Sequence, residues 1–210
     1  MKHHSTEIKI CGITNEADAR GAAKAGVDYL GFIQVPESPR YTLPETARDI
    51  VAMLKKEFPK IRTVGVFLDA PRETVASVAH AVGFDCLQFH GLESVAYCEN
   101  FIDEYEVWKV FIVKKKSDLD PITSYRGQVQ KIMIDAGRGS GGTVDWRLLD
   151  GIMIDVLAGG LHPENVVEAI QCVWPQIVDM NSGVEIAPGK KDIEKILAAV
   201  AAVHSLQTNL

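Results

Sequence analysis

Apolar residues fall into short buried-looking runs separated by longer stretches with helical spacing, and the two patterns alternate along the whole chain. Glu7 to Cys11 reads as a first strand, after which Asn15 caps a helix running through Ala25 that Gly26 stops. Strands follow at Tyr29 to Gln34 and Arg62 to Leu68, with helices from Pro44 to Phe58 and from Pro71 to Val82. Cys86 to His90 leads to a helix over Glu93 to Asp103, and Val107 to Val113 to a weaker one over Leu119 to Tyr125. Val129 to Asp135 runs into a glycine-rich loop and a short helix at Trp146 to Asp150. Gly151 to Ala158 and Ile177 to Met180 complete the strands, each followed by a helix, the last from Lys191 to His204.

Eight strand–helix units of about 26 residues predict a closed parallel (β/α)8 barrel, a TIM barrel with short loops, formed as a single domain over residues 1–210. A doubly wound open sheet is the alternative, but it usually carries fewer strands and one nucleotide-binding crevice near its start. Gly26-Val27-Asp28-Tyr29-Leu30-Gly31-Phe32 and Gly83-Phe84-Asp85-Cys86-Leu87-Gln88-Phe89 share the pattern G-x-D-x-L-x-F. Either a two-unit repeat or a chance match of two strand entries accounts for it.

In a barrel, chemistry gathers where strands end. Those ends carry Cys11, the loop from Gln34 to Arg40, Asp69, His90, the lysines at 114–116, Asp135, Gly159-Gly160, and Asp179 to Gly183. Ile154 to Ala158 stops at Gly159-Gly160, and the helix that follows is expected to hold Pro163 in its first turn. Two glycines let backbone approach a ligand closely, and a helix N-terminus offers amides and a positive dipole end to an anion. A second such junction, Asp179-Met180-Asn181-Ser182-Gly183, is placed to share one phosphate with it; a plain tight turn is the alternative at Gly159-Gly160.

A net charge of −6 argues against a nucleic-acid partner and requires local features to hold an anion. No apolar run approaches the roughly 20 residues that span a bilayer, which predicts a soluble, cytoplasmic protein. Cys11, Cys86, Cys98 and Cys172 form no CxxC pair and no ligand spacing with histidine, so neither disulfides nor a metal site is expected. The alanine-rich helix faces suit a monomer or a homodimer equally.

Six signatures stand in order along the chain. They are Lys9-Ile10-Cys11-Gly12-Ile13-Thr14, Gly31-Phe32-Ile33 leading to Ser38-Pro39-Arg40-Tyr41, and Val64-Gly65-Val66-Phe67. Leu87-Gln88-Phe89-His90-Gly91, Leu157 to Val166, and Val178 to Glu185 running on to Asp192 complete the set, and together the six resemble the phosphoribosylanthranilate isomerase family. The resemblance implies a cofactor-free (β/α)8 barrel acting on a small phosphosugar. Its reaction is the Amadori rearrangement of N-(5-phosphoribosyl)anthranilate in tryptophan biosynthesis. It further implies Cys11 as general base and Asp135 as general acid, where residues alone leave a core thiol and a helix cap open. A free thiol has a pKa of about 8.5, and stabilising its thiolate by about 2 kcal/mol brings it into range at pH 7. A carboxylic acid working near neutral pH faces the reverse problem, a rise worth roughly 4 kcal/mol of desolvation or like-charge contact. Lys9 shares a strand side with Cys11, but strand direction sets it at the far end, out of direct reach.

Arg40 fits a carboxylate clamp, since a guanidinium fork matches two oxygens, or is a solubilising loop residue. His90 orients substrate or bonds within the barrel top, and Asp179 positions sugar hydroxyls or holds loops. The lysines at 114–116 read as a solvated strand end that can draw in a trianion. Gly159, Gly160, Ser182 and Gly183 form the phosphate seats. The loop Arg138-Gly139-Ser140-Gly141 departs from the family, which commonly has a lysine where Gly142 stands; Arg138 is placed to replace that charge. A histidine-pathway isomerase would use an aspartate in place of Cys11, and indole-glycerol-phosphate synthase would need a lysine and a glutamate absent from these strand ends. A catalytically silent phosphate-binding barrel would lose the acid–base pair, and both of its members are here.

Overall fold

The structure, a computed structural model, describes residues 5–135, 146–149 and 152–208. Eight parallel strands close into a barrel in chain order: β1 (Glu7–Ile10), β2 (Tyr29–Ile33), β3 (Arg62–Phe67), β4 (Cys86–Phe89), β5 (Glu106–Ile112), β6 (Lys131–Asp135), β7 (Val156–Ala158) and β8 (Ile177–Met180). β8 seals against β1, with Lys9 opposite Asp179 and Ile10 opposite Met180. Side chains alternate across the wall. Ile8, Ile10, Leu30, Phe32, Leu87, Phe89, Ile132, Ile134, Leu157 and Val178 face the helices. Tyr29, Val64, Cys86, Trp108, Val110, Met133, Val156 and Ile177 fill the interior, where Tyr29 and Trp108 pack edge to face at 5.2 Å.

The outer ring is α1 (Glu16–Ala25), α2 (Pro44–Glu57), α3 (Arg72–Val82), α4 (Val95–Cys98), α5 (Ile122–Tyr125), α6 (Val166–Val173) and α7 (Ile193–Thr208). Where caps are strong the sequence boundaries hold: the Asn15 side chain accepts from the Asp18 amide at 2.9 Å, and Gly26 ends α1 at a φ of 92°. Several boundaries need correction: α5 covers only Ile122–Tyr125 of the helix expected over Leu119 to Tyr125, and β6 starts at Lys131 rather than Val129. The helix expected over Glu93 to Asp103 is the single turn of α4 followed by turns, because the Asn100 side-chain amide donates to the Ala96 and Tyr97 carbonyls and draws them out of a helical ladder. β7 begins at Val156, leaving Ile152 to Asp155 outside the strand, since pairing with β6 starts at Met133 opposite Val156; Gly151 lies outside the described residues. Pro163 lies in a turn ahead of α6, which starts at Val166 after Asn165. Lys191 belongs to a hairpin of β9 (Glu185–Ala187) and β10 (Lys190–Lys191) that follows β8, so α7 starts two residues later. Gly189, at a φ of 77°, makes the reversal after Pro188 possible.

The shared G-x-D pattern has a local cause. Gly26 and Gly83 each end a helix in the left-handed region. Two residues on, Asp28 accepts the Ile8 amide at 2.8 Å, and Asp85 accepts the Thr63 amide at 2.8 Å. Each aspartate stitches its own strand entry to the first free amide of the preceding strand.

Candidate active site

A cavity of about 460 Å³ opens at the C-terminal ends of the strands. Cys11, Arg40, His90, Asp135, Gly159, Gly160, Asp179 and Ser182 all line it. Four strand ends and three loops thus meet at one place. Arg138, Gly139, Ser140 and Gly141 lie outside the described residues. The lysines at 114–116 are exposed and do not line the cavity.

Cys11 follows the last residue of β1 and Asp135 ends β6, separated around the wall by β7 and β8. Cys11 is 4% exposed, and burial pushes its thiol above the ordinary range; the Lys9 ammonium pulls it down, Asp179 raises it and Lys191 lowers it. His90 Nε2 lies 3.5 Å from Asp135 Oδ2, and Gln88 Nε2 lies 3.4 Å from His90 Nδ1. Gln88, Lys9, Glu185 and Lys191 were not among the site residues read from sequence. Gln88 lines the cavity, is 1% exposed, and its Oε1 has no hydrogen-bond partner among the described residues. A buried carbonyl of that kind awaits a donor. Its signal was the two-residue spacing from His90, which puts both side chains on the inner face.

Lys9 is nearer Cys11 than strand direction suggested. Its side chain turns along the barrel interior, fully buried, and Nζ donates to Asp179 Oδ1 at 2.9 Å. A methyl group placed on Gly31 would sit 2.8 Å from Cys11 Sγ and 3.1 Å from Lys9 Nζ, so the two heads crowd one point that only glycine leaves open. Burial opposes the ammonium, but Asp179 and the sulfur more than offset it and hold Lys9 above its ordinary range. Burial likewise raises Asp179, against the pull of Lys9.

Arg40 is held from behind. Its Nε and Nη2 donate to Glu185 at 2.9 and 2.7 Å, and Glu185 also takes Lys191 Nζ at 2.9 Å and the Gly189 amide at 3.1 Å. Burial works against the Glu185 carboxylate, yet these donors keep it below its ordinary range.

At the two glycine junctions, Gly159 and Gly160 have φ of 100° and 65°, which L side chains rarely adopt, and a Cβ on Gly160 would meet open space. Asn165 braces the loop, accepting the His162 amide at 2.8 Å and donating to the Gly160 carbonyl at 3.0 Å. Gly183 matters for room: a Cβ there would run into the Leu161 carbonyl and sit 2.8 Å from His162 Cβ. The loops after β7 and β8 are therefore in direct contact.

A closed (β/α)8 barrel with a polar cavity at its strand C-termini has the layout of the barrel enzymes. Among the described residues, no group of three or more histidine, cysteine or acidic side chains could hold a metal ion, and no helix is long and apolar enough to cross a membrane. The sequence model of N-(5′-phosphoribosyl)anthranilate (PRA) isomerase matches residues 8–202. The N-(5′-phosphoribosyl)anthranilate isomerase of Syntrophus aciditrophicus is 41% identical, over 96% of this chain and 89% of its own. Phosphoribosyl anthranilate isomerase from Thermotoga maritima superposes with a TM-score of 0.89 at 36% identity, covering 95% of this chain and 99% of that one. A phosphoribosyl anthranilate isomerase solved with reduced 1-(o-carboxyphenylamino)-1-deoxyribulose 5-phosphate gives 0.86 at 36% identity over the same shares. The chain belongs to the N-(5′-phosphoribosyl)anthranilate isomerase family.

Proposed function

We infer that this chain is a phosphoribosylanthranilate isomerase of tryptophan biosynthesis, converting N-(5-phosphoribosyl)anthranilate to 1-(2-carboxyphenylamino)-1-deoxyribulose 5-phosphate. Family membership supports the reaction. The single observation that supports the assignment of roles is that Cys11 and Asp135 line one cavity with Gly159 and Gly160 of one loop and Ser182 of the next.

Asp135 gives a proton to the furanose oxygen as the C1–O bond breaks, leaving a C1–nitrogen iminium. The iminium acidifies the C2 hydrogen. Cys11 takes that proton as a thiolate, and the C–H electron pair forms the C1–C2 double bond of an enolamine while nitrogen becomes neutral. Tautomerisation then adds a proton at C1, releases one from the C2 oxygen, and gives the ketose. His90 positions Asp135 from 3.5 Å. Gly159, Gly160, Ser182 and Gly183, with Arg138, Gly139, Ser140 and Gly141, take the phosphate. Arg40 takes the anthranilate carboxylate, and Gln88 Oε1 and Asp179 accept sugar hydroxyls. One cytoplasmic domain, needing no cofactor and working as a monomer or a homodimer, suffices for this chemistry.

Single-turnover loss of anthranilate fluorescence, with substrate generated in place, tests the assignment. Cys11→Ser and Asp135→Asn each lower the rate by orders of magnitude while binding of a reduced product analogue persists. A native chain that binds the analogue but does not turn over would refute the reaction; a variant with native rate would refute its residue's role.

A further inference from the structure

Three lysines are sealed among the described residues, and two are saturated with oxygen partners. Lys109 donates to Glu93 Oε2 at 3.0 Å and to the Gly91 carbonyl at 2.6 Å. Lys191 donates to Glu185 at 2.9 Å and to Asn181 Oδ1 at 3.0 Å. Lys9 differs. Its one oxygen partner among the described residues is Asp179 at 2.9 Å, and beyond that it faces the Trp108 ring at 6.0 Å and the Cys11 sulfur across the gap left by Gly31. An ammonium carries three donors, and a buried charge is costly unless those donors are met. A thiolate at Cys11 supplies the acceptor that this lysine lacks.

We propose that Lys9 is the positioning residue that makes Cys11 a proton acceptor: its ammonium, fixed by Asp179 beneath the cavity floor, is the counter-charge for the thiolate. This rests on the reading of Cys11 as the base. The step itself moves only protons: Sγ holds a lone pair against Lys9, takes the C2 proton, and loses its charge as the enolamine forms. Gly31 on β2 serves the same end by leaving room for the sulfur and the ammonium to meet.

Other charges also face the sulfur. Asp179 on β8 opposes the thiolate, while Lys191 on β10 favours it. Arg40 interacts with it from the loop after β2, Glu185 offsets Arg40 and Lys191, and His90 and Asp135 lie across the cavity. Lys9 acts more strongly than Asp179 on the sulfur. Removing the two partners one at a time therefore has effects of opposite sign, which a purely structural role for the pair does not produce.

Thiolate absorbance near 240 nm is titrated against pH for each chain and for the same chain carrying Cys11→Ser, and the difference isolates this sulfur from Cys86, Cys98 and Cys172. Lys9→Met moves the midpoint up by about one pH unit or more, a tenfold loss of thiolate at neutral pH, and Asp179→Asn moves it down. Lys9→Met leaves a buried carboxylate unpaired and is the variant at risk of misfolding. The double variant Lys9→Met/Asp179→Asn removes both charges at nearly constant volume, and its midpoint remains above the native one. The single-turnover pH profile of each folded variant shifts in the same direction as its thiol. A midpoint in the double variant equal to or below the native one overturns the proposal, even with Cys11→Ser inactive. Native turnover by Cys11→Ser overturns the reading of Cys11 as base and this inference with it.

Discussion

Arg40 shows how much of a residue's role depends on what stands behind it. Nε and Nη2 are committed to Glu185, so the guanidinium plane is set before any substrate arrives, and Nη1 has no hydrogen bond among the described residues. A lysine has the charge without the fork. Arg40→Lys therefore raises KM about tenfold to a hundredfold with little change in kcat, equivalent to roughly 1.4 to 2.8 kcal/mol of lost binding. Steady-state kinetics checks this, and a fall confined to kcat would assign Arg40 to the chemical step instead. The sequence exposed Cys11, Arg40, His90 and Asp179 because strand ends can be located from hydrophobic runs. It misplaced Lys9, because a four-carbon side chain travels further along a strand than its Cα position suggests. The chain with Glu185 behind Arg40 spans 145 residues of sequence separation, which no local pattern reveals.

Elements were legible wherever a side chain or a glycine marks the end. Asn15, Gly26 and Gly83 fixed α1 and α3 closely, whereas α4 and α5 were overextended because their crossovers close with turns that satisfy their own carbonyls. The aspartates after Gly26 and Gly83 belong to this scale. Asp28 and Asp85 bond strand amides at the end of the barrel away from the cavity. Replacing either by alanine leaves an amide without its charged acceptor and lowers stability by about 2 kcal/mol in urea titration, with single-turnover rates unchanged. The glycine junctions give a second test at this scale. Gly160→Ala meets open space and costs only backbone strain, about 1 to 2 kcal/mol, whereas Gly183→Ala forces the loop after β8 away from Leu161. Weak binding of inorganic phosphate then falls far more in Gly183→Ala than in Gly160→Ala. Equal losses would show that the two loops bind the anion independently.

At the scale of the whole molecule, alternation of eight strands and their crossovers was readable and implied closure, but the strand register and the hairpin after β8 were not. The hairpin residues look like a loop leading into a helix; only Glu185 and its cationic partners explain why the chain pauses there. That cluster ties the loop after β2 to the C-terminal end of the barrel through Arg40, Lys191 and the Gly189 amide, with the Glu185 side chain 4% exposed. Its carboxyl titrates below its ordinary range in the folded protein. A depressed folded-state pKa means that the contribution is complete above the unfolded value of about 4.3 and is lost as pH falls through the folded value. Native stability in urea is therefore level with respect to this group at neutral pH and drops on acidification below about pH 4. Glu185→Gln leaves the buried Lys191 and the partly buried Arg40 without their counter-charge, so it is less stable at pH 7 by about 3 kcal/mol. Having lost the titrating group, it also shows a shallower decline between pH 5 and 3. The two urea series at pH 7, 5, 4 and 3 check both expectations together. A variant weakened at pH 7 yet falling as steeply as the native chain in acid would place the acid-sensitive closure at another carboxylate, with Glu185 acting through hydrogen bonds that glutamine cannot reproduce.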